Sequence, residues 1–99
     1  MTNTDHFSAL KKRLGKTIRA LRHERQFSQE ELAHRAGLHR TYVADVERGG
    51  RNISLESIAK LASALGKTIE DLFKYSPPNE YAKFEASQQL VSVSTRETA

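Results

Sequence analysis

The sequence contains no cysteine, so neither a disulfide framework nor a thiolate metal site can form. A chain without disulfides suits a reducing compartment. No stretch approaches the roughly 18 apolar residues that a membrane-spanning helix needs. The N-terminus also lacks the basic start and apolar run of a secretory signal. We therefore expect a cytoplasmic protein with no membrane segment.

Catalytic and metal-binding patterns are absent as well. The four histidines (His6, His23, His34 and His39) have no metal-ligand spacing. The sequence shows no paired nucleophile and base and no phosphate-binding loop. Hydrophobic residues make up 37% of the 99 residues, which suffices for a modest core but not for a large substrate cavity. We therefore expect no enzyme activity, no metal and no cofactor.

Proline occurs only as the adjacent pair Pro77 and Pro78, and this pair divides the chain. Neither proline can continue a helix, and each biases the residue before it towards extended geometry. We therefore assign residues 7–75 to one domain and residues 76–99 to a short C-terminal extension. Residues 90–95 alternate like a strand. The extension could pair with its copy in a second subunit and dimerise the protein, or it could stay disordered.

Acidic residues are scarce in the predicted domain. Residues 8–75 carry 14 Lys and Arg against 8 Asp and Glu, whereas the two ends together have a net charge of −2. A basic folded part is compatible with a polyanionic partner such as nucleic acid. The run Lys11, Lys12 and Arg13 could lie along DNA, but such a run is more often a solvated helix face. We leave it out of the predicted site.

The spacing of apolar residues predicts a first helix over residues 7–25. Its inward stripe consists of Leu10, Leu14, Ile18 and Leu21. Ser28 and Glu31 have the spacing of a capping box, which predicts that a second helix begins at Gln29. Gly37 ends this helix, because glycine readily adopts the left-handed conformation.

A third helix is predicted over residues 40–48 and is closed by Gly49 and Gly50. Gly37 thus stops one helix and allows the next to begin about three residues later, which is the helix-turn-helix arrangement. Ala33 is small and lets the two helices approach closely. The outward face of the third helix can then enter the DNA major groove.

Two further helices complete the predicted fold. Ser54 caps a fourth helix that ends at Gly66. Its inward residues are Leu55, Ile58, Leu61, Ala62 and Leu65. Thr68 and Asp71 form a weaker capping pair at the start of a short fifth helix. Its apolar residues are Ile69, Leu72 and Phe73. Five helices within residues 7–75 predict a compact all-α bundle.

The segment SQEELAHRAGLHRTYVADVERGGRNISLESIAKLASALG resembles the lambda-repressor/Cro-like (XRE) helix-turn-helix family. Within it, RTYVADVERGGRNISL is most similar to the small controller proteins of restriction-modification systems. The resemblance covers residues 10–73, about two-thirds of the chain, and leaves out the tail after Tyr75. It implies a five-helix lambda-repressor-like DNA-binding domain that acts as a sequence-specific transcriptional regulator.

The same resemblance implies which residues contact DNA. Base edges would be contacted by Arg40, Thr41, Tyr42, Ala44 and Asp45. Phosphates would be contacted by Gln29, Arg48, Arg51 and Asn52. Chemistry agrees in part, since arginine can clamp guanine, threonine can contact a thymine methyl and aspartate can accept from cytosine N4. The alternative is that these are solvated residues of a surface helix.

The resemblance also implies a partly buried ion pair of Arg22 with Glu47, which would tie the first helix to the end of the third. An exposed pair worth less than about 1 kcal/mol is the alternative. Members of this class bind as two-fold dimers on two half-sites, so we expect a homodimer. Its interface is expected at Leu65, Ile69, Leu72, Phe73 and Tyr75, although some of these could instead be core residues.

Three functions from different classes are compatible with these features. The first is a transcriptional regulator that occupies a two-fold symmetric operator on double-stranded DNA and either blocks or contacts RNA polymerase. The second is an antitoxin that wraps a toxin with its tail and autoregulates the pair. The third is a protein-binding module that does not use DNA. The basic folded part favours DNA, so we expect the first function and keep the antitoxin as the alternative.

Overall fold

The computed structural model describes residues 3–75, and the side chains of residues 6–75. This part of the chain contains five helices, and the predicted all-α fold is confirmed. They are α1 (Asn3–Glu24), α2 (Gln29–Ala36), α3 (Arg40–Arg48), α4 (Leu55–Ala64) and α5 (Ile69–Lys74). Among the described helices, none has the length and apolar character to cross a membrane. The C-terminal extension, with its predicted strand at 90–95, lies outside the described residues.

α1 begins at Asn3, earlier than the predicted start at residue 7. The prediction began the helix at its first apolar residue, but residues 3–6 contain no proline or glycine that would stop it. A helix of 22 residues is about 33 Å long, so its first turns pass beyond a core built by much shorter helices. Leu10 is consequently 43% exposed, and its assignment to the inward stripe is wrong.

The C-terminus of α1 is closed by a left-handed residue that is not glycine. Gln26 has a φ of 59°, and its amide donates to the carbonyl of His23 at 2.9 Å, while the amide of Phe27 donates to the carbonyl of Arg22 at 3.0 Å. This is the Schellman arrangement, in which glycine is the usual residue at the left-handed position. The sequence gives no glycine to mark this helix end, and the prediction placed it one residue late.

The two predicted capping pairs differ from expectation in how many of their hydrogen bonds form. At α2, the Ser28 hydroxyl accepts from the amide of Glu31 at 3.0 Å, but the Glu31 carboxylate bonds to Arg35 at 2.6 Å. At α5, both halves of the box are present, since Asp71 donates to the Thr68 hydroxyl at 3.0 Å and accepts from the Thr68 amide at 2.9 Å. The pair predicted to be weaker is therefore the complete one.

One apolar core lies between the five helices. Its buried residues are Leu14, Ile18, Leu21, Leu32, Ala33, Ala36, Val43, Val46, Ile58, Leu61, Ala62, Leu65 and Leu72. Most of them are the predicted inward residues. Leu55 is predicted to face inward but is not among the buried residues. It is the first residue of α4 and lies ahead of the first buried position, Ile58. It is 69% exposed, so its assignment to the inward face is wrong.

α1 crosses α3 at Gly15, in the middle of the longer helix. A Cβ atom at this position would lie 2.6 Å from the carbonyl oxygen of Glu47 and closer still to that of Val46. Both neighbours are backbone atoms, which cannot rotate away as a flexible side chain would. Glycine is therefore needed here for the close approach of two backbones, although it weakens a helix interior.

We predict that Gly15→Ala destabilises the protein even though alanine is the better helix former. Overpacking of a close contact costs roughly 1–3 kcal/mol, which exceeds the gain of at most about 1 kcal/mol from helix propensity. Urea unfolding followed by circular dichroism measures the difference. The control is Lys16→Ala at the next residue, which is exposed. A Gly15→Ala protein as stable as the parent would show that α1 and α3 do not approach this closely.

Candidate nucleic-acid interface

α2 and α3 are joined by a tight turn that fixes their relative orientation. Gly37 ends α2 with a φ of 70°, and the amide of Leu38 donates to the carbonyl of Ala33 at 2.9 Å. Ala33 is buried, as are Val43 and Val46 on the inner face of α3. Because this inner face is held in the core, the opposite face of α3 is directed outward.

The outward face of α3 carries the five residues predicted to contact bases. Arg40 and Thr41 are exposed, whereas Tyr42, Ala44 and Asp45 are half-buried. Residues three and four positions apart lie on the same helix face, so Thr41, Ala44 and Asp45 form one surface. Tyr42 packs partly against the core. Less of its side chain is therefore exposed for a base contact than the family resemblance implies.

The N-terminus of α3 is electropositive. Its N-cap, His39, makes no side-chain capping hydrogen bond, and the first turn contains no acidic residue. The first amides of a helix have no partner within it, and the helix dipole is positive at this end. Arg40 adds a full charge. This end of the helix therefore favours acceptors and anions.

Of the predicted phosphate ligands, Gln29 and Asn52 each make a side-chain hydrogen bond to a residue of a helix elsewhere in the fold. Gln29 Nε2 donates to Glu47 Oε1 at 3.1 Å, which ties the start of α2 to the end of α3. Asn52 Oδ1 accepts from Lys11 Nζ at 3.1 Å. Lys11 was left out of the predicted site, and nothing in the sequence signals a contact between residues 41 positions apart.

Arg22 and Glu47 form the buried ion pair expected between α1 and α3. Arg22 Nε donates to Glu47 Oε2 at 2.7 Å and Nη2 donates to Oε1 at 3.0 Å, so the pairing is bidentate. The side chains are 10% and 4% exposed. Arg22 Nη1 also donates to the carbonyl of Phe27 at 2.9 Å. Together with Gln29, the ion pair and the Phe27 carbonyl link four parts of the fold: α1, the turn before α2, the start of α2 and the end of α3.

Asp45 bonds to both arginines that the sequence assigns to phosphates. Its carboxylate accepts from Arg51 Nη2 at 2.8 Å and from Arg48 Nη2. The Arg51 hydrogen bond, together with the charges of Arg48 and Arg51, lowers the pKa of Asp45 below its usual value against an opposing effect of burial. Arg51 is held on a second side, because its Cζ lies 4.7 Å from the centroid of the Tyr42 ring.

The residues predicted at a dimer interface divide into two groups. Leu65 and Leu72 are buried in the core of the protomer, so they present no surface to a partner and that assignment is corrected. Phe73 is 50% exposed, and Ile69 and Tyr75 are half-buried. The Tyr75 hydroxyl donates to the carboxylate of Glu24. Burial, and then this contact, raises the pKa of Tyr75 to about 12.

Comparison with known proteins gives one family and consistent relatives. The helix-turn-helix family model HTH_3 matches residues 18–72. The chain is 44% identical over 63 residues to Control protein C.BamHI of Bacillus amyloliquefaciens, which covers 63% of this chain and 78% of that protein. It is 41% identical over 66 residues to Control protein C.SmaI of Serratia marcescens, which covers 67% of this chain and 79% of that protein.

A solved structure shows the same arrangement of helices. The restriction-modification controller protein C.AhdI from Aeromonas hydrophila matches with a TM-score of 0.64 and 48% sequence identity. The match covers 66% of this chain and 98% of that chain.

We predict that Arg22→Ala lowers the free energy of unfolding by on the order of 3 kcal/mol, because it leaves the Glu47 carboxylate buried without its charged partner. Thermal and urea unfolding measure the loss. Lys60→Ala is the matched control, since it removes an exposed i,i+4 pair with Glu56 at 3.5 Å, which is worth under about 0.5 kcal/mol. Equal melting temperatures for Arg22→Ala and the parent would contradict this prediction.

Proposed function

Because this chain belongs to the XRE-type helix-turn-helix family, we propose that it binds a two-fold symmetric DNA operator as a homodimer, with α3 of each subunit in the major groove. The family membership makes it a sequence-specific DNA-binding regulator of transcription. The relatives named above are control proteins. By the same similarity, we propose that the operator controls genes of a restriction-modification system.

The outward face of α3 is the observation that carries the proposal. The inner residues Val43 and Val46 of α3 are buried in the core, its first turn is electropositive, and its exposed residues Arg40 and Thr41 are polar. The major groove, about 12 Å wide, admits one helix. A helix presented in this way can bring Arg40 and Thr41 to base edges. We assign guanine to Arg40 and a thymine methyl or a hydrogen bond to Thr41.

We expect phosphate contacts on both sides of the groove, from the start of α2 and from the end of α3 with the loop that follows it. Gln29 lies at the N-terminus of α2, where backbone amides and the helix dipole favour an anion. Asn52 and Arg51 follow α3 in the chain, and Arg48 is in its last turn. We add Lys11, because its contact with Asn52 places an ammonium group beside this loop. Phosphate contacts on both sides would fix the register of α3 in the groove.

A single domain of this kind reads too few base pairs for useful specificity, and this favours a dimer on two half-sites about one helical turn apart. Phe73 is the apolar residue of α5 with the most exposed surface, and Ile69 and Tyr75 lie beside it on the same short helix and its end. We therefore place the two-fold contact on α5.

The sequence also allows RNA polymerase or a toxin as a protein partner. No contact within residues 6–75 favours either one. The tail that an antitoxin would wrap around its toxin is residues 76–99, which lie outside the described residues. The antitoxin alternative therefore has no observation in its favour within the described residues.

Selection of binding sites from a random duplex library tests the proposal. We expect a two-fold symmetric consensus for the parent and its loss for the double variant Arg40→Ala, Thr41→Ala, because both side chains are exposed and are the ones we assign to bases. The control is Lys67→Ala, a basic residue outside α3 that is exposed. No enrichment for the parent at low salt would contradict DNA binding, and an asymmetric consensus would contradict the symmetric operator.

For the dimer, we predict that Phe73→Glu yields monomers and weakens operator binding by at least tenfold, because the charge must be desolvated at the two-fold contact. Sedimentation equilibrium and operator titration measure the two effects. Leu55→Glu is the matched control, since it places the same charge at an exposed leucine of α4. A Phe73→Glu protein that remains dimeric would show that the interface lies elsewhere.

A further inference from the structure

A carboxylate lies on the same helix face as the residues that we expect to contact DNA. Asp45 is on the outward face of α3, and it accepts hydrogen bonds from the two arginines expected at phosphates. The Asp45 side chain is 23% exposed, whereas those of Arg48 and Arg51 are 69% and 44% exposed. The carboxylate is thus partly enclosed while its partners remain accessible to solvent.

This arrangement limits what either arginine can do at a DNA surface. To reach a phosphate, an arginine must leave Asp45, and the carboxylate then faces the negatively charged groove with one partner fewer. Unpaired charge removed from water is costly. Arg51 must in addition leave the face of the Tyr42 ring. Phosphate contacts by these arginines therefore depend on a replacement donor for Asp45.

The major groove presents one such donor per base pair, and its position depends on the sequence. Only the amino groups of cytosine (N4) and adenine (N6) donate hydrogen bonds there, and thymine and guanine edges offer acceptors to a carboxylate. A base pair that places an amino group opposite Asp45 can take over one of the two hydrogen bonds. A base pair without one at that position repels the carboxylate.

We propose that Asp45 is a specificity-determining residue that holds Arg48 and Arg51 off the phosphates on DNA that presents no base amino group to its carboxylate, and releases them where the operator presents one. This inference rests on the proposed function, in which α3 lies in the major groove. Asp45 then weakens non-specific binding more than operator binding, which raises the ratio of the two affinities.

The test measures binding to a mixed-sequence duplex over a range of salt concentrations, for the parent and Asp45→Asn. Each additional phosphate contact steepens the slope of log K against log salt by about 0.9 and raises affinity about tenfold near 0.1 M salt. With one or two arginines released, we expect Asp45→Asn to have a slope steeper by about one to two units. In the double variant Asp45→Asn, Arg51→Gln, the slope should be less steep than in Asp45→Asn by about one unit.

Glu56→Gln is the matched control. It raises the net charge by the same amount and removes a carboxylate that pairs with a basic residue, Lys60, but on α4 instead of α3. We expect the slope of log K against log salt to be the same for Glu56→Gln as for the parent. Circular dichroism of each variant establishes that it is folded before binding is measured.

Binding-site selection with Asp45→Asn gives the second readout. The variant should lose the preference for cytosine or adenine at one position of each half-site while it keeps the preferences due to Arg40 and Thr41. A slope no steeper than that of Glu56→Gln, or an unchanged consensus, would overturn the role of Asp45 and leave the proposed function standing. A parent that selects no sequence at all would overturn the proposed function and this inference together.

Discussion

The position of α3 depends on the buried ion pair of Arg22 and Glu47. Its Coulombic attraction must offset the desolvation of two charges, and such pairs often contribute little net stability. Here each charge has additional partners, since Arg22 also donates to the carbonyl of Phe27 and Glu47 also accepts from Gln29. An apolar pair could fill the same volume. It would not set the direction of both helices and of the Gln29 side chain at once, because packing between apolar groups is not directional.

The steric constraint at Gly15 acts on the same junction from the other side. The carbonyls of Val46 and Glu47 occupy the space that a Cβ at position 15 would need, so the backbone of the last turn of α3 lies too close to α1 for any side chain there. The left-handed Gly49 ends α3 directly beside Lys12. A short helix of nine residues has few side chains with which to fix its own orientation. It is held by a backbone crossing, a bidentate ion pair and two buried valines.

Features that depend on neighbouring residues could be predicted from the sequence, whereas features that depend on contacts between distant residues could not. The bounds of α2 and α3 agree with the structure, because Ser28, Gly37 and Gly49 act on their immediate neighbours. The end of α1 was misplaced, since Gln26 takes a role that glycine normally marks. Leu65 and Leu72 look the same in sequence whether they face the core or a second subunit, and only the packing of α5 on α1 and α4 decides. The contacts of Lys11 with Asn52 and of Asp45 with Arg51 depend on the path of the loop after α3, which the periodicity of apolar residues does not predict.

The interface divides into groups that are ordered before binding and groups that are not. Gln29 is fixed by Glu47, and Arg48 and Arg51 are fixed by Asp45, so DNA meets these side chains already restrained. Arg40 and Thr41 are exposed, and immobilising a long side chain on binding costs about 0.5–1.5 kcal/mol. Gln29 would therefore contact a phosphate at little ordering cost, whereas Arg48 and Arg51 must first leave Asp45, and each base contact must recover its own ordering cost. A wrong base that fails to bond Arg40 leaves the side chain mobile and this cost unpaid, so the discrimination at that base is smaller than the hydrogen bond alone would give.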